Sequence, residues 1–247
     1  MNPRLPLLLL GAALLLGASV DRPAKPKPLD PAEAAAKGRE LVVSILSQRP
    51  ADSFTNNGVL KIRDAKRNWT ETPIQVDTVA TPTNWMSIYT VGPTNGARES
   101  LVITHEPGGH TAYTIGNDAV IRTQAGNELM IPFAGSDFWL VDLGLEFFHW
   151  PDQRLLRNEI SRSRACHVLE STNPQPAAGA YARVLSWIDD ETSGIVHAEA
   201  YDSNNKLLKE FDPKDFKKVN GQWRLEEMQI ENPQAKTRTR IEFNFDN

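Results

Sequence analysis

The sequence predicts a mainly β fold with helices (α+β), built on one curled antiparallel sheet of about ten to twelve short strands. Three features predict it. From residue 52 onward, apolar and polar residues alternate in short runs punctuated by Pro, Gly or Asn. Helical periodicity is confined to two segments, near residues 31–48 and 137–150. No strand–helix–strand rhythm recurs, which argues against a parallel sheet. A sheet with so many strands must curl or close on itself to protect its edges and its apolar face, and helices can plug the trough that results.

The N-terminus reads as an export signal. MNPRLPLLLLGAALLLGAS has a single positive charge at Arg4, an apolar run from Leu5 to Leu16, and the small residues Gly17 and Ser19 before a cut after Ser19. The apolar run is short for a membrane span. The expectation is therefore a signal peptide over 1–19 and localisation in the periplasm. VDRPAKPKPLDP follows, and its prolines predict an extended leader over 20–30 rather than core. A single domain is expected over 31–247, since a chain of 247 residues with 40% hydrophobic content can bury one large core.

Asp30 is placed to cap the first helix, Pro31 suits its first position and Glu33 falls in its first turn. Leu41 and Ile45, with Val42 and Leu46, make the apolar face, and Pro50 ends the helix. Strands are then expected after an Asn57–Gly58 turn, in TPIQVDTVAT, WMSIYTVG, ESLVITHE, HTAYTIG and AVIRT. Beyond the aromatic segment come RLLRNEISRS, RACHVLEST, YARVLSWID, GIVHAEAYD, LLKEFDP, FKKVNG, QWRLEEMQIE and RTRIEFNFD. Tight turns are expected at Asn204–Asn205 and Asn220–Gly221. In the last strand Ile241, Phe243 and Phe245 share one face.

The segment GSDFWLVDLGLEFFHWPDQ (135–153) is the most unusual stretch. As a helix over 137–150, capped by Ser136 or Asp137 and stopped by Pro151, it would place Asp142, Glu146 and His149 in a polar stripe about 60° wide. The remaining surface is apolar, so such a helix must be nearly engulfed. Two readings stay open: a fixed core plug, or a lid whose residues Phe138, Trp139, Val141, Leu143, Phe147, Phe148 and Trp150 line a cavity for an acyl chain or other apolar ligand.

Catalytic and metal chemistry find little support. His105, Glu106 and His110 occur in HEPGGH, where proline and glycine make a turn rather than a preformed ligand set, so no metal site and no cofactor are expected. His149 reads as the solvated edge of the aromatic helix, and His167 and His197 as strand histidines. Asp189 to Glu191 read as a solvated turn, and Glu226 and Glu227 lie on opposite strand faces. The only cysteine, Cys166 in ACHVL, reads as a buried inert thiol. No nucleophile–base arrangement follows from spacing, so no catalytic residue is assigned and an enzyme is not expected. The net charge of −4 gives no basic field for nucleic acid.

GSDFWLVDL (135–143), ACHVLEST, WIDDETSGIVHAEAYDSNNKLLK and NGQW followed by the KTRT strand together resemble the lipoprotein-sorting proteins of the LolA/LolB type. Within these the chain is similar to the LolA-like branch of outer membrane lipoprotein-sorting proteins. The resemblance runs from 135 to 243, and residues 20–130 match it in layout. It implies an incomplete antiparallel β-barrel closed by helices over an apolar cavity, and a non-enzymatic carrier of lipoprotein acyl chains or another lipid. It also implies membrane-bound donor and acceptor proteins as partners, with a monomeric carrier. LolB-type receptors carry a lipid on a cysteine that this chain lacks, so a soluble carrier is the expectation. The alternative is a sensor or interaction module of the same fold that detects lipoprotein or lipid through a partner.

If export proceeds as read, N-terminal sequencing of the mature protein should begin near Val20 in the soluble periplasmic fraction. A chain that keeps Met1 and sediments with membranes would contradict it.

Overall fold

The computed structural model describes residues 29–93, 96–106, 111–117, 120–219 and 222–245. The export signal, most of the leader, His110 and the Asn220–Gly221 turn lie outside the described residues. Helix α1 spans Pro31–Leu46. Strands β1 (Phe54–Arg63), β2 (Trp69–Ala80), β3 (Trp85–Val91), β4 (Glu99–His105), β5 (Thr111–Asn117) and β6 (Ile121–Gln124) follow in order. After a linking segment come β7 (Asp152–Ser161), β8 (Arg164–Thr172), β9 (Arg183–Asp189), β10 (Ile195–Tyr201), β11 (Leu207–Val219), β12 (Gln222–Asn232) and β13 (Thr237–Asn244).

All 13 strands form one sheet, in the order β6-β5-β4-β3-β2-β1-β13-β12-β11-β10-β9-β8-β7. Every pairing is antiparallel. The sheet is curled and does not close. It consists of two meanders joined in the middle, where the first strand pairs the last with Leu60 opposite Ile241 and Gly58 opposite Phe243.

The alternation read from sequence is realised on this sheet. Leu60, Ile74, Val91, Leu101, Ile103, Ile230 and Ile241 all turn to the concave face and enter one apolar core. Three expectations need correction. There is one strand more than the range expected, and LLKEFDP and FKKVNG are one long strand, β11, bent by irregular pairing between Pro213 and Phe216. Asn57–Gly58 is not a turn but lies within β1, where a side chain on Gly58 would come within 2.2 Å of the Glu242 carbonyl oxygen. Glycine is there because two strand backbones approach closely. The third correction is the aromatic helix. Only Leu140–Leu143 (α2) is α-helical; Gly144 follows, Leu145 takes a left-handed conformation at φ 52°, and Glu146–His149 forms a 3-10 turn.

Helix α1 matches its sequence signals. The Asp30 carboxylate accepts from Ala32 N at 2.9 Å, and Ala34, Gly38 and Val42 form the buried face. That face lies against the edge strand β7, where Gly38 faces Gln153 O and the Arg154 backbone. A methyl group there would sit 2.6–2.7 Å from those backbone atoms. In a free helix Gly→Ala stabilises by about 1 kcal/mol. Here overpacking against fixed backbone, worth about 1–3 kcal/mol, should outweigh it. Gly38→Ala is therefore expected to lower the urea midpoint, and an unchanged or higher midpoint would show that α1 is not seated on β7.

Candidate functional site

The two outermost strands of the sheet, β6 and β7, are consecutive in sequence. Residues 125–151 must therefore pass from one edge of the sheet to the other, and they do so through the concave side. Their apolar side chains enter the core: Leu129, Phe133, Phe138, Leu140, Val141, Phe147 and Phe148 pack in one cluster with Leu60, Tyr113, Val184 and Ile241 from strands on both halves of the sheet. Of the seven residues singled out in sequence, Phe138, Val141, Phe147 and Phe148 are buried at 1%, 0%, 3% and 1% exposure. Trp139, Leu143 and Trp150 are partly buried and pack on the same cluster.

An irregular segment in an apolar trough needs partners for its backbone. It finds them in side chains. Asp137 N donates to Thr239 Oγ1 at 2.8 Å, and its carboxylate accepts from Thr237 Oγ1 at 2.6 Å and Thr239 Oγ1 at 3.0 Å. Lys209 Nζ, on the concave face of β11, donates to Asp137 O at 2.5 Å and lies 4.7 Å from the centre of the Trp139 ring. Trp139 stacks on Tyr181 at 4.8 Å, and its backbone N–H donates to Asp142 Oδ2 at 2.8 Å. At the far end Gln153 Nε2 donates to the carbonyls of Phe147 and Trp150 at 2.9 and 2.8 Å, while Gln153 Oε1 accepts from Ser171 Oγ at 2.7 Å. Gly144 packs so closely on Tyr113 that a methyl group would meet the phenol oxygen at 2.1 Å.

The polar stripe is not a solvated edge, contrary to the sequence reading. Each member turns inward to a partner: Tyr181 OH donates to Asp142 at 3.2 Å, Tyr113 OH donates to Glu146 at 3.0 Å, and His149 Nε2 lies 3.0 Å from Thr111 Oγ1. Burial raises the Asp142 carboxyl to about 6, against the pull of the Lys209 charge and the Trp139 N–H. Burial also raises Glu146 and lowers Lys209.

Beyond the plugged part no described residue covers the trough. One cavity of about 480 Å³ is walled by Ile45, Leu46 and Arg49 at the end of α1, by Trp85, His105 and Thr111 on the concave face, and by Leu145 and Phe148 of the linking segment. A second, of about 490 Å³, is walled by Phe54, Val76, Tyr89, Leu225, Met228 and Phe243. In the first, His105 stacks on Trp85 at 3.7 Å, and burial together with the neighbouring His149 lowers its pKa to about 4, so it is neutral near pH 7. A third cavity under the linking segment, of about 20 Å³ and bordered by Asp142, Phe147 and Lys209, holds no more than about one water.

The other candidates fall into structural roles. Among the described residues no group of three or more His, Cys, Asp and Glu side chains is placed to hold a metal. Asp189 is buried rather than solvated: its carboxylate accepts from the Glu191 and Thr192 backbone N–H groups at 3.0 and 2.8 Å and pairs with Arg164, whose hydrogen bond holds it well below the usual carboxylate range. His167 bonds Asn158 and Asp190, and His197 pairs with Asp212 at 2.7 Å on the convex face. Glu227 pairs with Arg240. Cys166 is 2% exposed, and burial raises its thiol pKa.

Sequence reasoning passed over Lys209, Thr239 and the trough walls. Their signal was phase: Lys209 alternates with Phe211, Thr239 with Ile241 and Phe243, and Trp85 with Ser87 and Tyr89.

The Asp142 carboxyl gives a pH prediction. Its folded pKa lies above the unfolded value, so protonation favours the folded state. The Asp142 contribution should grow as pH falls from about 6 to about 4, by on the order of 1–3 kcal/mol, and should be absent above that window. Urea unfolding of the parent and of Asp142→Asn should therefore converge at low pH and diverge above pH 6, with the parent the less stable. Parallel profiles would refute the assignment.

The family model that matches, over residues 113–245, carries the description "-like: Uncharacterized protein". Among solved structures, a DUF1329 family protein from Desulfovibrio piger superposes with a TM-score of 0.70 at 19% identity, over 85% of this chain and 91% of that one. A putative outer membrane lipoprotein-sorting protein domain from Vibrio parahaemolyticus gives 0.71 at 17% identity, over 85% and 92%. A LolA superfamily protein from Nitrosomonas europaea gives 0.58 at 20%, over 86% and 92%. At these identities the likeness establishes the fold. No curated protein gives a significant sequence match.

Proposed function

The chain belongs to the family matched over residues 113–245 and has the LolA-like fold, and we propose that it is a non-enzymatic periplasmic carrier of acyl chains, those of lipoproteins or of another lipid. The observation that carries this reading is the end of the trough that no described residue covers. Two apolar-walled cavities of about 480 and 490 Å³ open on the same concave face, within the size range of small-molecule sites, about 300–1,000 Å³. Their walls offer rings and aliphatic side chains, which suit a ligand bound through area rather than through directed hydrogen bonds.

Among the seven aromatic-segment residues, Phe148 borders the first cavity and, at 1% exposure, backs its wall. Phe138, Val141 and Phe147 act as a fixed floor, with Trp139, Leu143 and Trp150 closing its margins. Export by a signal peptide cleaved near Ser19 brings the carrier to its compartment as a single-domain monomer over 31–247. No helix among the described residues is long and apolar enough to cross a membrane. Membrane-bound donor and acceptor proteins complete the route.

Titration of the purified protein with a fluorescent fatty-acyl probe tests this directly. Saturable binding is expected, with affinity rising as the chain lengthens because each buried methylene contributes roughly 0.8 kcal/mol. Absence of saturable binding for every chain length would overturn the carrier reading.

A further inference from the structure

The two cavities are related in a way that constrains the ligand. They share a wall: on β3, Trp85 faces the first, and Ser87 and Tyr89, the next positions on the same strand face, border the second. They also share a strap. In the segment that follows α1, Ser47, Gln48 and Arg49 border the first cavity, and Pro50, Ala51 and Asp52 border the second. The strap is tied to the β2–β3 turn: Arg49 Nη2 donates to Thr81 O at 3.0 Å and Asn84 O at 3.2 Å, and Ala80 N donates to Ser53 Oγ at 2.9 Å.

We infer that the site takes a lipid with two acyl chains joined at one polar head, one chain in each cavity and the head over the strap. The inference rests on the carrier reading above and specifies its ligand. A single chain would fill one compartment and leave the other apolar wall wet, whereas the near-equal volumes of about 480 and 490 Å³ suit two similar chains. The junction between the compartments is polar, as a head group requires. Gln48, Arg49 and Asp52 lie there, and Arg49 pairs with no carboxylate among the described residues, so its charge is available to an anionic or strongly dipolar head. Joining the chains makes binding of the second one intramolecular, and this raises affinity without any new contact.

The test compares dioctanoyl phosphatidylglycerol with octanoyl lysophosphatidylglycerol, which has the same head and one chain. The two-chain probe is expected to bind at least about 100-fold more tightly. Native mass spectrometry should show one two-chain molecule, or two one-chain molecules, per protein. Ser87→Phe narrows the second cavity and Thr111→Phe the first. Each should bring two-chain affinity down to the one-chain level and lower the one-chain stoichiometry from two to one, and the double variant should bind neither, with thermal unfolding confirming that each variant folds. Equal affinity for the two probes in the parent, a stoichiometry of one for the one-chain probe, or sensitivity to only one of the two substitutions would overturn the two-compartment inference while leaving a one-chain carrier standing. Binding of neither probe overturns the carrier reading and this inference with it. A diacylated lipopeptide run beside the phospholipid distinguishes the source: preference for the lipopeptide assigns lipoprotein cargo, and preference for the phospholipid assigns free lipid.

Discussion

The structure depends on one topological constraint: the two edges of a curled 13-stranded sheet are neighbours in sequence, so residues 125–151 must cross its concave side. A regular helix could satisfy its own backbone during that crossing. This segment does not, because Gly144 lies flat against Tyr113 and Leu145 reverses the handedness of the chain. The unsatisfied amides and carbonyls then require polar side chains in an apolar place. Asp137, Lys209, Thr239 and Gln153 supply them, each buried. Lys209 Nζ also lies 4.0 Å from Asp137 Oδ1, and a buried charged pair of this kind adds little net stability, while loss of one partner costs about 3–5 kcal/mol. The arrangement thus specifies where the crossing lies more than it strengthens the fold.

That constraint explains what the sequence disclosed and what it did not. Strands announce themselves through period-two alternation, and the helix at 31–46 through its cap and its proline, because these signals act between near neighbours. The aromatic segment showed composition without conformation. Its rings fit a helical wheel, yet the decisive fact, the absence of room above Tyr113 for a side chain at 144, is a contact made by a strand some thirty residues earlier. The same applies to Gly58, whose Asn–Gly dipeptide is a strong local turn signal overridden by a strand at the opposite end of the chain. Asp189 looked like a solvated turn residue for the same reason: its role is to hold its own turn together from a buried position.

The candidate site was legible in kind and displaced in location. The sequence pointed to greasy rings over a trough, and the rings are there, but most of them are spent on covering the floor. Phe138 meets Phe211 edge to face at 6.3 Å and Phe147 meets Phe148 at 4.7 Å, with the space below reduced to about 20 Å³. The open walls come mostly from strand residues that no single window flags, such as Phe54, Val76 and Tyr89, beside Phe243 of the last strand. Each is an ordinary inward-facing residue, and what sets them apart is that no described segment covers them.

Coverage is therefore the quantity that separates scaffold from site. Where residues 125–151 lie on the sheet, no buried side-chain polar atom of the described crossing lacks a partner, and the cavity beneath Phe147 and Asp142 is about 20 Å³, which makes a rigid floor. Where they do not reach, the concave face keeps its apolar character, and the strap after α1 touches it only along a line held by Arg49 and Ser53. Arg49 serves both the tie and the wall of the first cavity, so an occupant of that cavity lies against the tie, whereas the floor residues Phe138 and Val141 border neither cavity. Any ligand bound by the folded state alone stabilises it by mass action, and with the floor residues outside both cavities that gain acts through the walls and the tie.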